Sequence, residues 1–230
     1  MRSRIGMLFI AMLTFMLSGA AIPACADESK RVSESSAVIK ELMAMPEMKV
    51  PPALFKDAAG IAVIPGVLKG SLMVGGRFGT GVMVVREKSG EWSAPVFVSL
   101  GGGSLGLQIG AESTDFILVF KTRRSVDGLT KGKFTVGVDA SVAAGPVGRT
   151  VEADTDALMK AEIVSYSRSR GLFAGASMEG AVLHIDAEAN AAFYKQKGIK
   201  ADEIFSGKVG SESTEVMQFR ELLKRYASGM

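Results

Sequence analysis

Two stretches of helical periodicity bracket a long middle in which apolar residues alternate or cluster between glycines. Residues 29–45 place Val32, Ile39, Leu42 and Met43 near helical spacing, with Lys30, Glu34, Lys40 and Glu41 between them, and predict a helix. Pro51-Pro52 starts a second, short helix, "PPALFKDAA", with proline in its first turn and Gly60 at its end. From Gly60 to Asp186 the pattern changes. "GIAVIP", "GSLMVGG", "GTGVMVVRE", "WSAPVFVSL", "SLGLQIG", "DFILVFK", "KFTVGVDASVAA", "AEIVSYSRS" and "LFAGASMEGAVLHID" are short, β-branched and apolar, and predict strands. "EKSGEW" is a turn between two of them, "RRSVDGLTKG" a short helix, and "VEADTDALM" either a loop or one helical turn. After Asp186 the helical period returns. Asp186 is the expected N-cap of one helix, with Gly198 past its end. "STEVMQFRELLKRYASG" opens on a capping serine or threonine and carries Val216, Phe219, Leu222, Leu223 and Tyr226 as its apolar stripe. The predicted fold is α+β: a large, mainly antiparallel, glycine-rich curved sheet or partial barrel with helices near both termini. Residues 27–230 are expected to form one domain, helical over 29–59, strand-rich over 60–186 and helical over 187–228.

The ends of the chain bear on where it works. Arg2 and Arg4, the apolar run Ile5 to Leu17 and the small residues Ala24 and Ala26 read as a secretory signal peptide over residues 1–26. The apolar run is short for a membrane span, which needs ~20 apolar residues. The chain is therefore expected to be secreted across the inner membrane, periplasmic or envelope-associated. Cleavage after Ala26 gives a soluble product; cleavage before a lipidated Cys25 gives a lipoprotein. Cys25 is the only cysteine of the 230 residues, so disulfides and cysteine-held metals are not expected. Removing Arg2 and Arg4 lowers the formal net charge from +3 to +1. A balance so close to neutral does not predict nucleic-acid binding. Any anion site must be a local cluster.

"GGGSLGLQIG", Gly101 to Gly110, carries two overlapping motifs. Gly101, Gly103 and Gly106 spell the dinucleotide fingerprint, whose last glycine must open a helix. Gly102, Ser104 and Gly106 spell the nucleophile elbow, also a strand-to-helix turn, with Asp115 or Asp139 as acid and His184 as base. Leu105, Leu107 and Ile109 alternate instead, which is strand periodicity. Glycines recur through all the strands, and the reading preferred for them is structural: bulges, coiling and close backbone approach. No D-x-D-x-D-G loop appears, and neither a metal nor a cofactor is expected.

Four blocks together resemble the SYLF-domain family: "GIAVIPGVLKGSLMVGGRFGTGVMVVR", "EWSAPVFVSLGGGSLGLQIGAESTDFILVF", "GKFTVGVDASVAAGPVGR" and "YSRSRGLFAGASMEGAVL". The resemblance covers about residues 36 to 195, in order. It implies lipid binding rather than catalysis. Eukaryotic members bind phosphoinositides at membranes, some fungal members bind and bundle actin, and bacterial relatives are commonly exported. Beside the leader peptide, this points to an exported bacterial member whose partner is an anionic phospholipid or membrane surface. The family's lipid contact is associated with an N-terminal amphipathic helix and nearby basic residues, here the helix of residues 29–45 and the segment to Lys69.

A lipid phosphate needs clustered cations, and arginine supplies a planar fork. Lys69 and Arg77 are the first choice, because the family blocks cover them. Lys49 and Lys56 lie near the first helices and Arg86 flanks the first strands. Arg123 and Arg124, with Lys121 and Lys131, surround one turn and are the runner-up; Arg168 and Arg170 share a strand face. Trp92 reads either as core or as an interfacial aromatic. The expected function is a non-catalytic lipid-binding module of the cell envelope. The alternatives are an envelope serine hydrolase using Ser104 and His184, or a structural envelope protein without a specific ligand.

Overall fold

A computed structural model describes residues 24–44, 50–146, 155–169, 172–175 and 178–229, with the backbone alone at 24–26, 69–75, 104–112, 155, 157, 172, 173 and 175. The chain opens with α1 (Ala24–Ala44) and α2 (Pro52–Lys56). Helix α1 starts before the expected residue 29 and runs across the anticipated cleavage point. Helix α2 ends at Lys56 rather than at Gly60, which is already the first residue of a strand.

Strands β1 (Gly60–Val85) and β2 (Val96–Phe120) form one long antiparallel ribbon around the Glu87–Glu91 turn. Each was expected as three separate strands. The glycines that read as separators lie inside the strands, because a residue without Cβ can stay extended where the ribbon bends sharply. Register slips between Ile64 and Val67 and between Ser71 and Met73. At the first slip Gly66 adopts φ 58°, a backbone shape that favours glycine.

The ribbon bends back on itself. The Arg86 N–H donates to the Ala59 carbonyl at 2.8 Å, so the two ends of β1 meet. Farther in, Gly81 sits against Val63 so closely that a Cβ there would lie 2.1 Å from the Val63 carbonyl oxygen. The halves of β1 therefore run side by side, and residues 68–78 form the bent end, paired along β2 with residues 101–113.

Side-chain alternation then gives the sheet two buried faces. Ile61, Val63, Val82, Val84, Phe97, Ile117, Val119, Val164 and Tyr166 face the helices. There they meet Val32, Val38, Ile39 and Leu42 of α1, Phe55 of α2, and the full predicted stripe of α7 (Thr214–Ala227). Ala62, Ile64, Met83, Val85, Val96, Val98, Leu100, Leu118 and Phe120 face the opposite side, where they meet Val126 and Leu129 of α3 (Arg123–Thr130), Phe134 and Leu183, and Ile204 and Phe205 of α6 (Ala201–Phe205).

Around this ribbon, β5 (Ile163–Ser169) pairs with the end of β2, and β7 (Val182–Ile185) with its start. Strand β3 (Phe134–Thr135) extends β7, while β4 (Val142–Ala144) and β6 (Leu172–Gly175) flank β5. Only the β4–β5 pairing is parallel among these strands. The architecture is the α+β, mainly antiparallel, curled sheet with helices near both ends that the pattern predicts. The "VEADTDALM" segment contributes a short helix, α4 (Thr155–Lys160).

Helix caps follow the residue chemistry. Thr122 caps α3, and Ser213 accepts from the Val216 N–H at α7. Asp186 caps α5 (Ala187–Phe193) by accepting from Ala189. Its other oxygen receives Arg31 of α1 at 3.2 Å, and Arg31 also reaches Asp27 at 3.1 Å. One capping carboxylate thus ties the first helix to a late one. Helix α5 stops at Phe193, short of Gly198, where Tyr194 turns its hydroxyl to the Pro95 carbonyl at 2.6 Å.

Candidate functional site

The expected cations separate into two groups, one where the two ends of β1 meet and one at its bent middle, about 30 Å apart along the strand. Lys49 lies outside the described residues. Lys56, Arg86, Arg123 and Arg124 gather where the ribbon turns. Arg86 is held there by the fold: its guanidinium donates to the carbonyls of Gly90, Phe55 and Lys56 and lies 3.9 Å above the Trp92 ring. Burial pulls its pKa down, against the charges of Glu91 and Asp57. Trp92 itself is 1% exposed, a core residue. Arg123 pairs with Asp127 at 3.0 Å and donates to the Arg86 carbonyl, and Arg124 reaches Glu162 at 4.0 Å. Lys121 closes the end of α4 on the Leu158 carbonyl. Most charge at this end already serves local structure.

The bent end is different. Lys69 and Arg77 lie there, each next to a large apolar residue that the fold leaves in solvent: Leu68 is 59% exposed and Phe78 61%. Lys69 stands opposite Glu112 in the register. Arg77 is half-buried, with Nη1 3.6 Å from the Met178 sulfur and a buried Nε that has no hydrogen-bond partner among the described residues. Below Leu68 and Phe78 opens a cleft of about 540 Å³ between α1, the two halves of β1, Asp115 and Arg168. Arg168 donates from Nε to Asp115 at 2.7 Å, and its other nitrogens contact Asp115 and Glu41. The second Asp115 oxygen accepts the Gly66 N–H at 2.8 Å, which clamps the bulge in β1. Burial raises the Asp115 pKa and the nearby Glu34 charge adds to the rise, while the Gly66 hydrogen bond opposes both. Arg170 lies outside the described residues.

The hydrolase constellation does not assemble. Strand β2 runs unbroken through Gly101–Gly110, so neither the fingerprint nor the elbow opens a helix. His184 pairs with Ser99 in the register, five residues from Ser104 and therefore about 16 Å away along the strand. Asp115 is engaged as above, and Asp139 accepts the Thr135 N–H. Tight approaches fall at Gly79, Gly81 and Gly145; in the motif a Cβ at Gly101 or Gly103 would meet nothing within 4 Å, and one at Gly102 would make ordinary contacts from 3.4 Å.

The apolar stripe of the N-terminal helix is taken up by the core. Val32, Val38, Ile39 and Leu42 are at most 2% exposed, so its apolar stripe already faces the core. Sequence reasoning missed Leu68, Phe78, Glu34 and the Asp115–Arg168 pair. The first two had a readable signal, since "LK" and "RF" flank a glycine-rich apolar stretch at mirrored positions. The pair had none, because its members are 53 residues apart.

Comparison with known proteins follows the same region. The Ysc84 family model, described as "Las17-binding protein actin regulator", matches residues 101–226. The chain is 36% identical over 182 residues to SH3 domain-containing YSC84-like protein 1 of Xenopus laevis, covering 79% of this chain and 54% of that protein. It is 38% identical over 179 residues to LAS seventeen-binding protein 3 of Saccharomyces cerevisiae, covering 76% and 39%. Against SH3 domain-containing YSC84-like protein 1 of Homo sapiens the identity is 36% over 163 residues, covering 70% and 47%. The chain spans about half, or less, of the length of these relatives. With the family model matching more than half of its residues, the chain belongs to the Ysc84 (SYLF-domain) family.

Proposed function

We propose that this protein is a non-catalytic module that binds phospholipid membranes through the bent end of the β1–β2 ribbon. The observation that carries the reading is that Leu68 and Phe78 both stand exposed at the bent end, and each is adjacent in sequence to a cation, Lys69 and Arg77. At a bilayer surface the apolar residues enter the interface and the cations meet lipid phosphate, which favours an anionic surface by about 1 kcal/mol per cation near it. The apolar contact therefore supplies most of the affinity, and salt weakens binding only in part. The leader-like residues 1–26 support an envelope location, which the intact mass of the protein recovered from cells tests directly.

Co-sedimentation with phosphatidylcholine vesicles, with and without phosphatidylglycerol, tests the membrane reading. The Leu68→Ser/Phe78→Ser protein is expected to bind at least about tenfold more weakly to both, since burying such side chains contributes ~1.5–3 kcal/mol each when complete. Lys69→Glu should remove mainly the preference for the anionic vesicles. Arg77 is a poorer target, because its half-buried side chain also packs on Met178. Unchanged sedimentation of the doubly substituted protein would refute this contact. Lack of catalysis is tested separately, with ester substrates: a wild-type rate that collapses in both Ser104→Ala and His184→Ala would restore the hydrolase.

A further inference from the structure

The cleft beneath Leu68 and Phe78 has a charge pattern that a purely basic contact face does not need. Two carboxylates, Glu34 and Asp115, line it beside one guanidinium, Arg168, which is held by Asp115 and also contacts Glu41. Glu34 has only Lys30 as its ion-pair partner among the described residues, at 3.5 Å, and that lysine is 70% exposed. Solvent screens such a pair heavily. The Asp115 carboxyl responds to the Glu34 charge, so the two acidic groups share one field. Beside these charges the lining is apolar at Ala37, Val38, Pro65, Leu68 and Phe78. The volume, about 540 Å³, is that of an ordinary small-molecule site.

We propose that this cleft binds an amphiphile carrying an ammonium headgroup, with Glu34 accepting the ammonium and the apolar chain lying between Leu68 and Phe78. An anionic headgroup would face two carboxylates, Glu34 and Asp115, and a guanidinium already engaged by Asp115 and Glu41. An ammonium would offset the surplus negative charge. The cleft opens at the same end that the membrane reading uses, so the inference rests on that reading for its biological setting. The ammonium amphiphile could be a membrane aminophospholipid or a free alkylamine.

Isothermal titration with monomeric ligands separates these sources. The probes are dihexanoyl phosphatidylethanolamine, dihexanoyl phosphatidylglycerol and decylammonium, each below its micelle concentration. The ethanolamine lipid is expected to bind at least about fivefold more tightly than the glycerol lipid, the scale of one partly exposed charge pair. Glu34→Gln, at a 48% exposed helix position, should fold normally and bring that ratio close to one. Phe78→Ser should weaken both lipids together. Binding of the ethanolamine lipid without decylammonium assigns the site to phospholipid; comparable binding of both assigns it to ammonium amphiphiles at large. Equal affinity for the two phospholipids, or a ratio that survives Glu34→Gln, overturns the inference. Vesicle binding lost while monomeric ethanolamine lipid still binds removes the membrane reading alone. The reverse pattern removes the cleft alone.

Discussion

Gly81→Ala is expected to lose at least about 3 kcal/mol of folding stability, read as a fall in the urea midpoint. The new Cβ would lie 2.1 Å from the Val63 carbonyl oxygen, 2.7 Å from the Ile64 Cα and 2.9 Å from the Val63 carbonyl carbon. All three are backbone atoms, so no rotamer change makes room. The halves of β1 must separate, and both buried faces are built on them. Gly103→Ala is the matched control in the same ribbon. Nothing stands within 4 Å of its added methyl, so stability should stay within about 0.5 kcal/mol. A wild-type midpoint for Gly81→Ala would mean that the ribbon does not double back as described.

Arg168→Met is expected to cost about 2–3 kcal/mol at neutral pH, somewhat less than removing one partner from a fully buried pair, because Asp115 and Arg168 are partly buried. The Asp115 side chain is 12% exposed. It would keep the Gly66 N–H but face Glu34 and Glu41 without a cation. The sign of the pH dependence follows. Without Arg168 the folded-state pKa of Asp115 lies further above its unfolded value, so the folded state binds the proton more readily. The deficit is then smallest in acid and grows as pH rises through the unfolded value toward the folded one. Adding Asp115→Asn should recover part of the loss. Thermal unfolding at pH 4 and pH 7 decides it: an equal deficit at both would show that the stranded carboxylate is not the cause.

Much of the fold was legible because periodicity is a local property. The α7 stripe, Val216, Phe219, Leu222, Leu223 and Tyr226, is buried as its spacing predicts. Asp186 caps the helix it precedes. The strand boundaries were not legible, because Gly70, Gly75, Gly76 and Gly79 look like punctuation when read singly. Whether a glycine ends a strand or bends it depends on what approaches it, and Val63 approaches Gly81 only through the bend. The site divides the same way. Lys69 and Arg77 were found by block resemblance, yet their apolar neighbours matter as much, and exposure is set by what the rest of the chain leaves uncovered. Arg86 looked like a ligand residue because its charge is visible in sequence and its three carbonyl partners are not.

The doubled ribbon also settles where the sheet ends. An exposed strand edge is a row of unsatisfied backbone donors and acceptors, a template on which other chains can pair. A 26-residue strand rich in valine and glycine would be a serious hazard of that kind. Here β1 pairs along its length with β2, and toward its ends its two halves close on each other, where the Arg86 N–H donates to the Ala59 carbonyl and Gly81 meets Val63. The other side of β2 is covered by β7 over residues 98–101 and by β5 over residues 115–120. Residues 102–114 of β2 have only β1 as a strand partner among the described residues, while the outlying strands β3, β4 and β6 are two, three and four residues long. The bend that exposes Leu68 and Phe78 thus also gathers the open backbone of the longest strands at one end of the molecule.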